Sequence, residues 1–159
     1  KIGMWGHSMA GNIVMRAMAA RTEIPAAAIW AGAVYTYLDM QKYSISDSSY
    51  QPPTNDEARQ KKRRALFEKY GRPSAESKFW QEVAPTNYLN DLKGAVELHH
   101  AIDDEVVEIG YSRDLDMLLD KTRVPHELYE YAAGGHNING ASFDIAMQRT
   151  VEFYNKYLK

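Results

Sequence analysis

Gly6-His7-Ser8-Met9-Ala10-Gly11 follows a short apolar run, Ile2 to Trp5, and precedes a helix-like stretch, Asn12 to Ala20. The pattern is small-x-Ser-x-small, the mark of a nucleophile elbow. A serine held on a sharp strand-to-helix turn lifts its Oγ out of the sheet. Small residues two places to either side let strand and helix pass close to the turn. In that setting the Met9 backbone N–H points at a developing oxyanion from the positive end of the helix. The competing reading of Ser8 is a helix N-cap beside glycine, a role serine often fills. An acid and a histidine downstream, in the right order and setting, separate the two readings.

Both are present. In the stretch from Val96 to Val107 an apolar strand-like run ends at His99-His100-Ala101 and the acidic pair Asp103-Asp104 begins at once. The carboxyl ends of strands are where α/β enzymes place functional carboxylates. From Leu128 a second strand-like run leads into Gly134-Gly135-His136, where the glycine pair frees the backbone to aim an imidazole. The chain order is therefore Ser8, then Asp103, then His136. That is the order of the α/β-hydrolase triad, not of the chymotrypsin or subtilisin arrangements.

At these residues the chain resembles the prolyl-oligopeptidase-type catalytic domain of the α/β hydrolases, a family that includes dipeptidyl- and acylaminoacyl-peptidases and related esterases. The resemblance rests on Ile2 to Gly11, Leu98 to Val107 and Tyr129 to Asn137, and it runs over nearly the whole chain. It implies Ser8 as nucleophile, Asp103 as triad acid (with Asp104 the rival), His136 as base and the Met9 N–H as oxyanion donor. Three positions depart from the family pattern: Ala10 and Ala101 stand where glycine is usual, and Glu108 where proline is usual. None removes a catalytic atom, and Glu108 is placed to open the following helix, where a carboxylate suits the dipole.

The resemblance also implies that about four strands with their helices, and the second oxyanion donor, precede an elbow of this kind. Residues 1–159 are accordingly expected to be the C-terminal part of one catalytic domain, with self-association through the exposed sheet edge. The alternative is a complete small α/β protein.

Composition fits a globular enzyme: 45% hydrophobic and 25% charged residues argue against disorder. A net charge of −2 gives no reason to expect nucleic acid or an anionic membrane as partner. The absence of cysteine rules out disulfides and thiolate metal sites. No cofactor and no metal are expected, and a cytoplasmic location is favoured. His99, His100, Asp103 and Asp104 can be drawn as a metal cluster, but adjacent strand residues point to opposite faces.

Strand and helix signals alternate, predicting a mainly parallel sheet in a three-layer sandwich. Strands are expected at 2–6, 26–31, 96–100 and 126–131, and helices at 9–20, 109–119 and 142–158, the last packing through Met147, Val151, Tyr154 and Leu158. Between about 38 and 83 the alternation breaks down, too long a stretch for an ordinary connection. This insert starts polar, with capping-box spacing at Thr54 and Glu57, a helix from Ala58 to Tyr70 and a second helix capped by Ser74. The basic run Lys61 to Arg64 reads as a solvated helix face. In the implied fold the insert forms a helical cap, and Trp30, Tyr35, Tyr37, Phe79 and Trp80 either line the substrate pocket or pack in the core. His7 is expected to be structural, and His126 to lie at the surface. The expected activity is cleavage of an amide or ester of a peptide or small molecule through an acyl-enzyme. A carboxylesterase of the same fold and a non-catalytic binding domain are the alternatives.

Overall fold

The computed structural model describes residues 1–46 and 57–159. Thr54 and most of the polar start of the insert fall outside the described residues, so the capping box does too. Four strands, β1 (Met4–His7), β2 (Ala26–Trp30), β3 (Ala95–Ala101) and β4 (His126–Tyr131), form one parallel sheet in sequence order. Helices α1 (Ala10–Ala20) and α5 (Gly110–Leu119) follow β1 and β3, and α6 (Ala141–Tyr157) closes the chain. Each predicted strand and helix of the regular part is present, with ends shifted by one or two residues.

The two central strands explain the layering. β2 reads Ala26-Ala27-Ala28-Ile29-Trp30 and is buried throughout, as is β3. Strands covered on both faces read as near-continuous apolar runs. One face packs Ile29, Val96 and Leu98 against Val14, Met15 and Met18 of α1 and Tyr111, Leu115 and Leu119 of α5. The other packs Trp30, Ala101 and Tyr131 with Ile138 and Ala146, with Met147 of α6 against them. Of the residues expected to pack α6, Met147, Tyr154 and Leu158 are partly buried, and Val151 alone is not. Val151 is 50% exposed, and the buried positions of the helix are Ala146 and Thr150. The sheet supplies the bulky side chains on that side, so the helix presents small ones.

β3 also carries three polar residues into the interior, Glu97, His99 and His100. Glu97 and His99 point to the α6 side, where His99 Nε2 lies 2.7 Å from Glu97 Oε1 and 3.2 Å from Thr150 Oγ1, and Nδ1 lies 2.8 Å from the Tyr131 hydroxyl. Trp30 Nε1 donates to the same Thr150 oxygen. Buried polar groups persist only when paired in this way.

The insert contains α2 (Asp39–Lys42), α3 (Glu57–Tyr70) and α4 (Lys78–Glu82), followed by a 3₁₀ segment, Pro85–Asp91. Its first residues run against the loop after β3. Ser46 N–H donates to Val106 O (2.8 Å), and Glu108 accepts bonds from the Ser44 backbone N–H and hydroxyl, so Glu108 clamps the insert and does not open α5. Ser74 does not cap α4, which starts after Ser77; its hydroxyl bonds Glu76 instead. None of the side chains of α3 is buried, and the Lys61 to Arg64 run is exposed. The helix leans on the insert through Tyr70 stacked on Phe79 and Phe67 against Trp80. Trp30, Tyr35 and Trp80 are core residues, whereas Tyr37 is exposed and packs edge-on to Trp80.

Leu98 lies fully buried at the centre of the sheet. Leu98→Ala should cost about 2–5 kcal/mol, while Val151→Ala on the exposed face of α6 should stay within about 0.5 kcal/mol. Urea unfolding at neutral pH measures both.

Candidate active site

Three loops leave the carboxyl ends of β1, β3 and β4 on the same side of the sheet, and they carry Ser8, the Asp103-Asp104 pair and His136. Ser8 sits between β1 and α1 with φ = 57°, a left-handed conformation that is costly for a side chain with a Cβ. Its backbone is fixed from several directions. Ser8 N–H donates to Trp30 O (3.0 Å), and Ser8 O accepts from Gly11 N–H (2.9 Å) and Ala33 N–H (3.3 Å). The crowding explains the small residues of the motif. A Cβ on Gly6 would lie 2.8 Å from Val14 Cγ2 and 2.9 Å from Ala10 O. Ser8 thus lies on a strained strand-to-helix turn and not at the N-cap; Met9 holds the cap position of α1, with no side-chain capping bond. Among the described residues the Met9 N–H has no hydrogen-bond partner, and the residue is largely exposed at the helix start.

The carboxylate facing His136 belongs to Asp104, not Asp103. His136 Nδ1 lies 2.9 Å from Asp104 Oδ2, with the Asp104 side chain fully buried and His136 17% exposed. Asp104 bends its own loop around itself. Its Oδ1 accepts from the backbone N–H of Val106 (2.8 Å) and Val107 (2.9 Å), and the turn aims the second oxygen inward. Asp103, the residue that the resemblance favoured, faces outward and accepts from the backbone N–H of Gly134 (3.2 Å) and Gly135 (2.8 Å). It clamps the turn that presents His136. Gly134 and Gly135 have φ of 148° and 59°, so the turn needs the backbone freedom that the glycine pair supplies.

Two residues outside the expected set complete the cluster. His7 Nε2 donates to the His136 carbonyl (2.8 Å), with the two rings 4.5 Å apart. His100 Nε2 lies 3.1 Å from Asp104 Oδ2 and 2.9 Å from Val107 O, and its Nδ1 lies 2.7 Å from Ser112 Oγ. The neighbouring histidines thus serve opposite faces: His99 binds Glu97 and Thr150, and His100 binds Asp104. A sequence signal for His100 exists in its i, i+4 spacing to Asp104. Ser112 had one too, as a hydroxyl on the apolar stripe of α5 beside Tyr111 and Leu115. His126 is mostly covered, bonded to Val124 O (2.8 Å) and close to Asp120.

Burial alone pushes the Asp104 carboxyl up, but the bonds from His100, His136 and the Val106 and Val107 amides outweigh it and hold the group well below the usual carboxylate range. An ionised Asp104 can only accept, so His136 carries its proton on Nδ1 and leaves Nε2 free as an acceptor when the ring is neutral.

Among solved structures the chain matches acylaminoacyl peptidase in complex with Z-Gly-Gly-Phe-chloromethyl ketone at 19% identity and a TM-score of 0.69, over 100% of this chain and 24% of that one. It matches a Mycobacterium tuberculosis puromycin-hydrolysing peptidase at 17% identity and 0.68, over 99% of this chain and 22% of that one. A Pyrococcus furiosus esterase matches at 18% identity and 0.61, over 100% of this chain and 55% of that one. The fold is that of an α/β hydrolase. The chain spans about a quarter of the two peptidases and about half of the esterase, and within the α/β-hydrolase fold these neighbours include both peptidases and esterases. No family model matches the sequence, and no curated protein does.

The depressed Asp104 group also predicts how stability varies with pH. A carboxyl with a folded pKa below its unfolded value adds stability above the unfolded value, and that stability fades as pH falls from about 5 toward the folded pKa. Wild type should therefore lose stability on acidification more steeply than Asp104→Asn. Urea unfolding at pH 7 and pH 3 tests this; parallel losses in the two proteins would contradict the assignment.

Proposed function

We propose that this chain carries the nucleophile, acid and base of a serine hydrolase that cleaves an amide or ester through an acyl-enzyme, prolyl-oligopeptidase-like in kind. The observation that carries the proposal is the 2.9 Å contact of His136 Nδ1 with buried Asp104, on the side of the sheet where Ser8 occupies its strained turn.

The chemistry follows from these atoms. Serine is a weak nucleophile at neutral pH until a base takes its proton. Free His136 Nε2 accepts the Ser8 proton as Oγ attacks the carbonyl carbon. Asp104 keeps the ring in the useful tautomer and stabilises the imidazolium. The Met9 N–H, at the positive end of α1, donates to the oxyanion. The tetrahedral intermediate collapses, His136 protonates the leaving amine or alcohol, and a water deprotonated by the same Nε2 releases the acyl group. No step calls for a metal or cofactor. The substrate is a peptide or small acyl compound. The insert contributes to its selection as a cap; it holds a cavity of about 760 Å³, lined by Tyr37, Met40, Leu66, Phe67 and Trp80 among others.

Fluorophosphonate labelling of the native protein, read by peptide mass spectrometry, tests the assignment. Label should fall on Ser8 and vanish in Ser8→Ala, with a stability change within about 1 kcal/mol. Asp104→Asn should slow turnover by about 10⁴-fold. Asp103→Asn keeps an acceptor for the Gly135 amide and should lose far less. An unlabelled Ser8 in a folded protein, or the reverse ranking of the aspartates, would overturn the reading.

A further inference from the structure

We infer that His100, its tautomer locked by Ser112, is a positioning residue for Asp104 and through it for His136; the inference rests on the triad reading above. His100 is fully buried and lies on β3, four residues before Asp104, so the strand itself fixes where the ring stands. Its Nε2 faces two groups that can only accept, the Val107 carbonyl at 2.9 Å and the ionised Asp104 carboxylate at 3.1 Å. Nε2 must therefore carry the proton. In the neutral ring Nδ1 is then an acceptor, and the buried Ser112 hydroxyl 2.7 Å away is its donor. Ser112 sits on α5, so the helix beyond the acid loop reaches back to set the protonation pattern of a ring within the sheet.

The consequence falls on the carboxylate. Asp104 Oδ1 receives two backbone N–H groups and Oδ2 receives two imidazole N–H groups, from His100 and His136. A carboxylate offers about four acceptor positions, so all are taken and any rotation of the group breaks several bonds at once. His100 also ties Val107 to the same point, closing the acid loop between its two ends. Without the His100 donor, Oδ2 is held by His136 alone, a ring on a glycine-based turn. The acid would then follow the base rather than fix it, and His136 would sample the tautomer that puts its proton on Nε2, which cannot accept from Ser8. A ring placed only to fill the core would need neither the proton on Nε2 nor the hydroxyl on α5.

The test compares His100→Met, His100→Gln and Ser112→Ala in the native protein. Two measurements are made on each: the rate and half-saturation of fluorophosphonate labelling, and the ¹⁵N ring shifts of His136. Met fills the space without a donor, whereas the Gln amide can place an N–H near the position of Nε2. His100→Met should lower the limiting labelling rate about tenfold or more, with half-saturation unchanged within about twofold, as expected when an interaction that aligns the transition state is lost and binding is not. In the same variant His136 should show a mixture of ring tautomers. His100→Gln should recover most of the rate and the single tautomer. Should His100→Met fail to fold, Ser112→Ala reports in its place, with a smaller loss of rate and a second tautomer of His100. Parent-like rate and a single His136 tautomer in a folded His100→Met, or His100→Gln no better than His100→Met, would overturn the inference. If Ser8 in the parent takes no label, the proposed function fails alone, because the His136 tautomer still reports whether His100 holds Asp104.

Discussion

The carboxylate of Asp104 has no vacant acceptor position, and the arrangement of the site depends on that saturation. Two amides of its own loop hold one oxygen and two imidazoles hold the other. Burying a charge is tolerated only when it is paired and fully hydrogen-bonded, so the four donors are a condition for placing an ionised group here at all. They also make the group directional. A carboxylate with a spare lone pair can turn; this one cannot turn without leaving buried amides unpaired. Asp104 thereby becomes the fixed reference point to which the His136 ring is aligned.

That fixed point reaches into three elements of the fold. β3 supplies His100, α5 supplies Ser112, and the turn after β4 supplies His136. Glu108, four residues after Asp104, anchors the start of the insert through Ser44. The insert and the acid loop are therefore mechanically connected even though α3 itself buries no side chain. Asp103 adds a second tie, from the acid loop to the Gly134-Gly135 turn. Two adjacent aspartates thus do two jobs: one orients the imidazole, and the other holds the backbone that carries it.

The sequence revealed the sheet, its order and the three loops of the site, because each depends on local signals: a buried run, a small-residue turn, a glycine pair before a histidine. It did not reveal which aspartate turns inward. Successive residues in a tight loop face opposite ways, and resemblance to a motif is weakest where two identical residues stand side by side. A physical cue was present, since Asp104 is followed at two and three residues by amides free to bond its side chain, the spacing of an Asx-type turn. Val151 of α6 was misplaced for a different reason, and Ala146 and Thr150 were missed. Helical periodicity picks out the largest apolar residues, but Trp30 and Tyr131 already fill the layer from the sheet side. Ala146 and Thr150 sit buried beneath them, with Met147 packed alongside.

Ser8 is held by the opposite strategy. Asp104 is fixed by saturation, whereas Ser8 is fixed by strain. Its φ of 57° is matched by Ala31 and Val34 at 47° and 56° in the loop directly beside it. Three non-glycine residues in left-handed backbone within one neighbourhood is an unfavourable concentration, each costing on the order of 1–3 kcal/mol. Such strain persists only where the surroundings over-determine the backbone. Here the Ser8 amide is bonded to Trp30 O, the Ser8 carbonyl to two amides, and the Ala31 amide to His99 O at 2.8 Å. The last bond ties the strained loop after β2 to β3, the strand that carries His100. The Ser8 turn and Asp104 are thus braced on the same central strand. Strain at Ser8 cannot relax without disturbing β3, and β3 cannot shift without freeing the Asp104 carboxylate, so Ser8 and Asp104 keep their registry through the sheet and need no direct contact with each other.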